Sequence, residues 1–189
     1  MLTNTEHFWK DAWNRHFDGY ASSSARQAYY LANLLQPGER TVLELGAGSF
    51  RDAVQLGRWG WDVAASDFSE EAVLRARETF PEFADRFTVQ DATALTYDDD
   101  AFDVSFQNGL VVCFDDDETV SKCFAEQARV TRKRMVVSVH NKMNRAKVHQ
   151  FAELARTDRL YDIRFYDIGE LVGLLEPHVR SVTVLPFGW

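Results

Sequence analysis

Between residues 41 and 140, five short runs rich in strand-forming residues alternate with stretches of helical periodicity, and nothing else in the chain constrains its fold as strongly. The first run is TVLEL, at 41–45; helical spacing returns over 51–58, 61–66 reads as a second strand, and 69–79 reads as a helix with Ser69 at its N-cap. Strands at 87–90 and 102–107, a helix over about 116–128 and a strand at 135–140 continue the pattern. Beyond it, helices are expected at 145–157 and 168–175 and a last strand near 179–185. Parallel strands need long connections, which helices fill, so the alternation implies a parallel sheet covered on both faces. The expected class is α/β, a three-layer α/β/α sandwich with a mostly parallel sheet of six or seven strands and N-terminal helices.

A chain of 189 residues, 46% hydrophobic, holds one sizeable core and so one domain over 1–189. Three parts are expected within it: a helical cap or lid at 1–36, a ligand-binding core at 41–140, and helices with a last strand at 141–189. The first part carries Phe8, Trp9, Trp13, Phe17 and Tyr20 on one broad helical face, interrupted by Gly19 and Ser22 to Ser24. That aromatic face reads either as a helix packed on the sheet or as a lid over a ligand. A net charge of -8 opposes phosphate backbones, which argues against a nucleic-acid partner. The basic cluster Arg129, Arg132, Lys133 and Arg134 reads as a solvated helix end and turn. Cys113 and Cys123 stand apart, with neither CxxC spacing nor a histidine pair, so no disulfide and no metal is expected. No apolar run approaches membrane-spanning length and no leader peptide is evident, so the expectation is a cytoplasmic protein without membrane insertion. Its oligomeric state is left open.

In an open parallel sheet the ligand lies outside the C-terminal ends of the strands, so the residues that follow each strand are the informative ones. After the first comes Glu44-Leu45-Gly46-Ala47-Gly48-Ser49, whose glycines allow a tight turn and bare backbone against a ligand. After the second comes Asp67, placed to accept both hydroxyl hydrogens of a ribose. After the third, Asp91 and Ala92 follow Gln90; the carboxylate can accept from an exocyclic adenine amine, and Phe68 offers the ring an apolar surface. After the fourth, Asn108 and Gly109 can line a pocket floor. Glu44, beside the glycines, suits a ligand bearing an ammonium better than one bearing two phosphates.

On VLELGAGS, Asp67, Asp91-Ala92, Phe102-Asp103-Val104 and the EQARV stretch before the fifth strand, the sequence resembles the class I S-adenosylmethionine-dependent methyltransferases over about 41–140. The resemblance implies a Rossmann-like sheet and S-adenosylmethionine as cofactor, with S-adenosylhomocysteine as product. It also implies that Gly46, Ala47 and Gly48 lie against the methionine part, Asp67 holds the ribose and Asp91 with Ala92 binds the adenine. N-terminal helices commonly cover the cofactor in this family, which adds Tyr20 and Trp9 as contacts, Trp9 on the acceptor side. The implied acceptor is a small molecule. His140, beside Asn141, is the candidate general base at the end of the fifth strand, and SVHNKMN is similar to a Pro-Asn loop in some members. Asn141, and Tyr166 with Arg164, are further candidates to meet the acceptor.

The sequence departs from the family at Phe50, where a third glycine is common, and at Val112-Cys113, where Glu-His is common. The family's seventh, antiparallel strand has no counterpart before Trp189, which leaves a truncated chain or a short sheet. Two other readings stand beside methyl transfer. A nicotinamide dinucleotide oxidoreductase would use the same glycines, but Arg51 occupies its third small position. A binding module without catalysis would have its acceptor cavity filled.

Overall fold

The computed structural model describes residues 5–186. Seven α-helices and five strands are described: α1 Glu6–Ala21, α2 Arg26–Leu34, β1 Thr41–Leu45, α3 Arg51–Arg58, β2 Asp62–Asp67, α4 Glu70–Thr79, β3 Phe87–Val89, β4 Phe102–Asn108, α5 Asp117–Arg129, β5 Thr131–Ser138, α6 Arg145–Ala155 and α7 Ile168–Leu175. Every strand pairing is parallel, in the order β3-β2-β1-β4-β5. The chain builds outward from β1 to β3, then returns to the far side of β1 for β4. That reversal opens a crevice at the C-terminal ends of β1 and β4.

Alternation along β1 divides its side chains between two layers. Val42 joins Phe17, Leu31, Leu56, Phe87 and Phe106 in a core beneath α2, α3 and α4, whereas Leu43 and Leu45 face the other side with Leu95 and Val130. A further cluster around Phe124, Val120 and Tyr166 packs α5 and α7 on the β4-β5 side. Ser69 caps α4 through Ala72 N–H, Asp116 caps α5 through Thr119 N–H, and Asp167 with Glu170 forms a capping box on α7. The interruption after α1 falls at residues 22–25, beyond Gly19, which stays helical.

Two expectations are corrected. The sheet has five strands among the described residues, because 179–185 forms no ladder. In that stretch only Val182 packs on a core cluster, and strand propensity without a partner strand leaves backbone groups unpaired. Residues 187–189 lie outside the described residues. The basic cluster is also not a turn: Arg129 ends α5, and Arg132, Lys133 and Arg134 lie on β5. Their charges are tolerated there because Asp103 takes Arg132 at 3.0 Å and Lys133 at 3.1 Å, while Glu39 takes Arg134 at 2.9 Å.

Candidate functional site

A cleft of about 350 Å³ opens over the C-terminal ends of β1 to β4. Its floor begins at the turn after β1, where Gly46 and Gly48 both have left-handed backbone, at φ +60° and +56°. A Cβ on Gly46 would come within 2.7 Å of Leu110, and one on Gly48 within 2.3 Å of the Trp13 ring, so glycine is required at both positions by conformation and by space. Phe50 also adopts a left-handed conformation, at φ 60°, where a third glycine would be conformationally easier. Its ring is fully buried against Phe87, 4.6 Å between centroids, and this packing offsets the strained backbone.

Phe50 gives α3 no side-chain cap. The acceptor comes instead from β1, where Glu44 takes the Ala53 N–H at 2.9 Å at the start of the helix. Burial, with Asp52 close by, pushes the Glu44 carboxyl well above the usual carboxylate range. Asp67, at the end of β2, ties the two turns together by accepting Gly48 N–H at 2.8 Å and Ser69 N–H at 2.9 Å. Burial raises its pKa to about 6 against the backbone donors of Ser69, Gly48 and Phe68. The Asp67 carboxylate, with about four lone-pair sites, keeps acceptor capacity beyond these backbone partners.

Asp91 turns the chain after β3 by accepting from Thr93 N–H and Oγ1, while the Phe68 ring stays 44% exposed inside the cleft and so is available to stack. From β4 onward, Asn108, Gly109, Leu110, Cys113 and Phe114 supply the opposite wall. Burial pushes the Cys113 thiol up to about 12, which keeps it neutral.

The roof is α1. Trp9 stacks near Trp13 with centroids 6.5 Å apart, Trp13 meets Tyr20 edge-on at 5.9 Å, and all three line the cleft. Phe17, fully buried, roots this helix in the core. Arg75 of α4 clamps it by donating to the carbonyls of Trp13 and Asn14 and pairing with Asp18 at 2.7 Å. On another side His16 meets Asp158 at 2.6 Å, next to Leu160, which reaches the cleft. The N-terminal segment is therefore both a packed helix and a cover.

All ten residues expected to hold the cofactor line this one cleft: Tyr20, Glu44, Gly46, Ala47, Gly48, Asp67, Phe68, Asp91, Ala92 and Asn108. Trp9 joins them, but the other acceptor-side candidates do not. β5 ends at Ser138, two residues before the expected end, so His140 is carried past the sheet and packs against Phe151 and Phe165 at 4.9 and 5.5 Å between ring centroids. Burial and the Lys147 charge lower its pKa. Asn141 forms a backbone bridge with Tyr166 and turns its side-chain oxygen to Met143 N–H. Tyr166 is 1% exposed and donates its hydroxyl to the Val111 carbonyl at 2.9 Å, so it is a core residue. Arg164 is engaged by Asp117 and Glu170. Sequence reasoning did not assign Trp13, Arg51 or Leu160 to the cleft. Trp13 was discernible, since it follows Trp9 by one helical turn, whereas Leu160 comes from a turn remote in sequence and carries no local signal.

Residues 42–134 match the sequence profile of a family described as a methyltransferase domain. No curated protein matches the chain in sequence. Among solved structures the chain is similar to the YcgJ protein of Bacillus subtilis, with 21% identity, a TM-score of 0.66, and coverage of 82% of this chain and 68% of that one. It is also similar to an S-adenosylmethionine-dependent methyltransferase of Thermotoga maritima, at 20% identity and TM-score 0.64, covering 91% and 79%. Geranyl diphosphate C-methyltransferase of Streptomyces coelicolor, solved with Mg2+, geranyl diphosphate and S-adenosylhomocysteine, aligns at 16% identity and TM-score 0.63, covering 82% and 59%. At these identities the likeness is one of fold.

Proposed function

Because the chain belongs to the class I, Rossmann-like methyltransferases, we propose that it transfers a methyl group from S-adenosylmethionine to a small-molecule acceptor. The observation that carries this reading is the convergence of four strand ends and the aromatic face of α1 on one cleft. The residues fit the cofactor. The buried indole N–H of Trp13, a cleft residue, has no hydrogen-bond partner, and Gly46 and Gly48 present backbone without a side chain, covered by Leu110 and Trp13. When bound, S-adenosylmethionine supplies an electrophilic methyl group on a sulfonium.

Within that reading, the backbone of Gly46, Ala47 and Gly48 approaches the amino-acid end, with Glu44 behind it as counter-charge to an ammonium. Asp67 accepts from the ribose hydroxyls through its unused acceptor positions, while Asp91 receives the adenine amine beside Phe68. Asn108 lies at the end of β4, adjacent to β1 at the crevice. Trp9, Leu160 and Phe114 give the cleft apolar surface against which an acceptor can lie. Much of the rate gain in such a displacement comes from alignment and exclusion of water, which a clamped aromatic roof provides. His140 does not line the cleft and so takes no part in proton transfer in this reading. A small acceptor also accords with the net charge of -8, which disfavours nucleic acid.

Calorimetric titration with S-adenosylmethionine, S-adenosylhomocysteine, NADH and NADPH tests the cofactor. Micromolar binding of the first pair alone is expected, and binding of a dinucleotide alone would overturn the reading. Incubation with a methyl-labelled cofactor and a pool of small molecules, protein and RNA tests the acceptor class. Label recovered only in the macromolecular fraction would remove the small-molecule assignment.

A further inference from the structure

A second cavity, of about 330 Å³, opens where α1 meets the turn at 158–161, and is lined by Arg15, His16, Gly19, Tyr20, Ser23 and Tyr161. Tyr20 borders both cavities, and Leu160 of the cleft is followed directly by Tyr161 of the second cavity, so the two spaces adjoin along α1 and that turn. Tyr20 is also the only residue that the two linings share. The strand ends that face the cofactor do not reach the second cavity.

The two linings differ in charge. Glu44, Asp52, Asp67 and Asp91 line the cleft along with Arg51, whereas among the described residues no acid lines the second cavity and its two nitrogen bases are Arg15 and His16. The acid that pairs with them, Asp158, lies 2.6 Å from His16 Nε2 and 4.0 Å from Arg15 Nη1, and it accepts the Leu160 N–H at 3.0 Å. A separation of 4.0 Å is too long for a hydrogen bond. Beyond the bond from its Nε to the Asp11 carbonyl, the Arg15 guanidinium therefore keeps its terminal N–H groups for another acceptor. The Tyr20 phenol stands beside that of Tyr161, and burial together with this neighbour pushes its pKa up to about 12, so it stays a neutral hydroxyl. Ser23 is already occupied, donating to the Tyr20 carbonyl and accepting from Arg51, each at 2.7 Å.

We propose that the methyl acceptor is a small carboxylic acid whose carboxylate seats in this second cavity, against Arg15, His16 and Tyr161, while the rest of the molecule passes Tyr20 into the cleft. The inference rests on the methyltransferase reading and names the acceptor class within it. Four acids make the cleft unfavourable for an anion, and the guanidinium fork next to it matches a carboxylate. Arg15, His16 and Asp158 together carry at most one positive charge, which one carboxylate balances and a phosphate dianion exceeds. The body of the acceptor then lies against Leu160 and Trp9, on the apolar surface of the cleft.

Ligand-observed NMR titration of the protein saturated with S-adenosylhomocysteine tests the site, with phenylacetate, phenylacetamide and phenyl phosphate as probes, on the wild type, Arg15→Gln and Tyr161→Phe. The Arg15 side chain is 56% exposed, so the fold does not depend on it. The wild type should bind phenylacetate about tenfold more tightly than phenylacetamide, on the order of one hydrogen bond to a charged group. Arg15→Gln should lose about tenfold for phenylacetate and nothing for phenylacetamide. Tyr161→Phe should show a smaller loss with the same selectivity, and both variants should keep the wild-type affinity for S-adenosylhomocysteine. Failure of phenylacetate to bind, equal affinity for acid and amide, or an unchanged preference in Arg15→Gln would overturn the carboxylate site while leaving the cofactor reading in place. Tighter binding of phenyl phosphate would overturn the choice of a carboxylate, and methyl label recovered only in products without an anionic group would overturn the acceptor class. A wild type that does not bind S-adenosylhomocysteine would overturn the methyltransferase reading itself, and this inference with it.

Discussion

Asp67 combines structural and binding roles in one carboxylate, and its environment makes that combination measurable. Its two oxygens join the turns after β1 and β2, yet burial raises its pKa to about 6. An ordinary aspartate titrates near about 3.9, so in the ligand-free protein the ionised form of Asp67 is disfavoured by folding. Its favourable contribution to stability is complete below that ordinary value and is withdrawn as pH rises through about 6. Binding reverses the balance, because ribose hydroxyls donate best to the ionised form. Affinity for S-adenosylhomocysteine should therefore rise several-fold from acidic to neutral pH, measured by calorimetry, and Asp67→Ala should bind weakly with that rise removed. A flat profile in the wild type would dissociate Asp67 from the ribose. The position of this acid was legible in sequence from the strand end before it. Its pKa was not, since that depends on the depth at which β2 ends and on backbone donors from separate turns.

At the level of elements, the far end of the sheet is held by a feature hidden in the sequence as three consecutive basic residues. Asp103 of β4 accepts the backbone N–H of Arg40 at 2.8 Å and of Thr41 at 3.3 Å while pairing with Arg132 and Lys133 of β5. It therefore fastens the N-terminal ends of β1, β4 and β5. The backbone donors, with help from Lys133, hold its carboxyl far below the usual range. Such a group stabilises the fold above the ordinary carboxylate pKa, and that stability is lost as pH falls through the lowered one. Asp103→Ala should cost about 2–4 kcal/mol at neutral pH, with the difference from wild type narrowing in acid. Urea denaturation at several pH values measures both. A loss below about 0.5 kcal/mol would mean the basic residues are merely solvated, as their pattern alone predicts.

For the whole molecule, the site joins the sheet to a helix that precedes it in the chain, so ligand and fold should stabilise one another. S-adenosylhomocysteine at about one hundred times its dissociation constant should add about 2.7 kcal/mol. For a chain of this size that corresponds to a rise in Tm of roughly 5–10 °C, and NADH at equal concentration should give none. An equal shift from both ligands would argue against an adenosyl amino-acid site. The alternation of strand and helix runs, the glycine turn and the acids after β2 and β3 were determined by the sequence alone. Each is a local pattern in which periodicity, backbone freedom or position after a strand carries the information. Tertiary structure decided what depends on distant partners. His140 lost its place at the site because β5 ends two residues early, and the stretch at 179–185 found no strand to pair with. Arg51, which in sequence only disfavoured a dinucleotide, lines the cleft and holds the end of α1 through the Tyr20 carbonyl and Ser23 Oγ, because α1 folds back over Gly48.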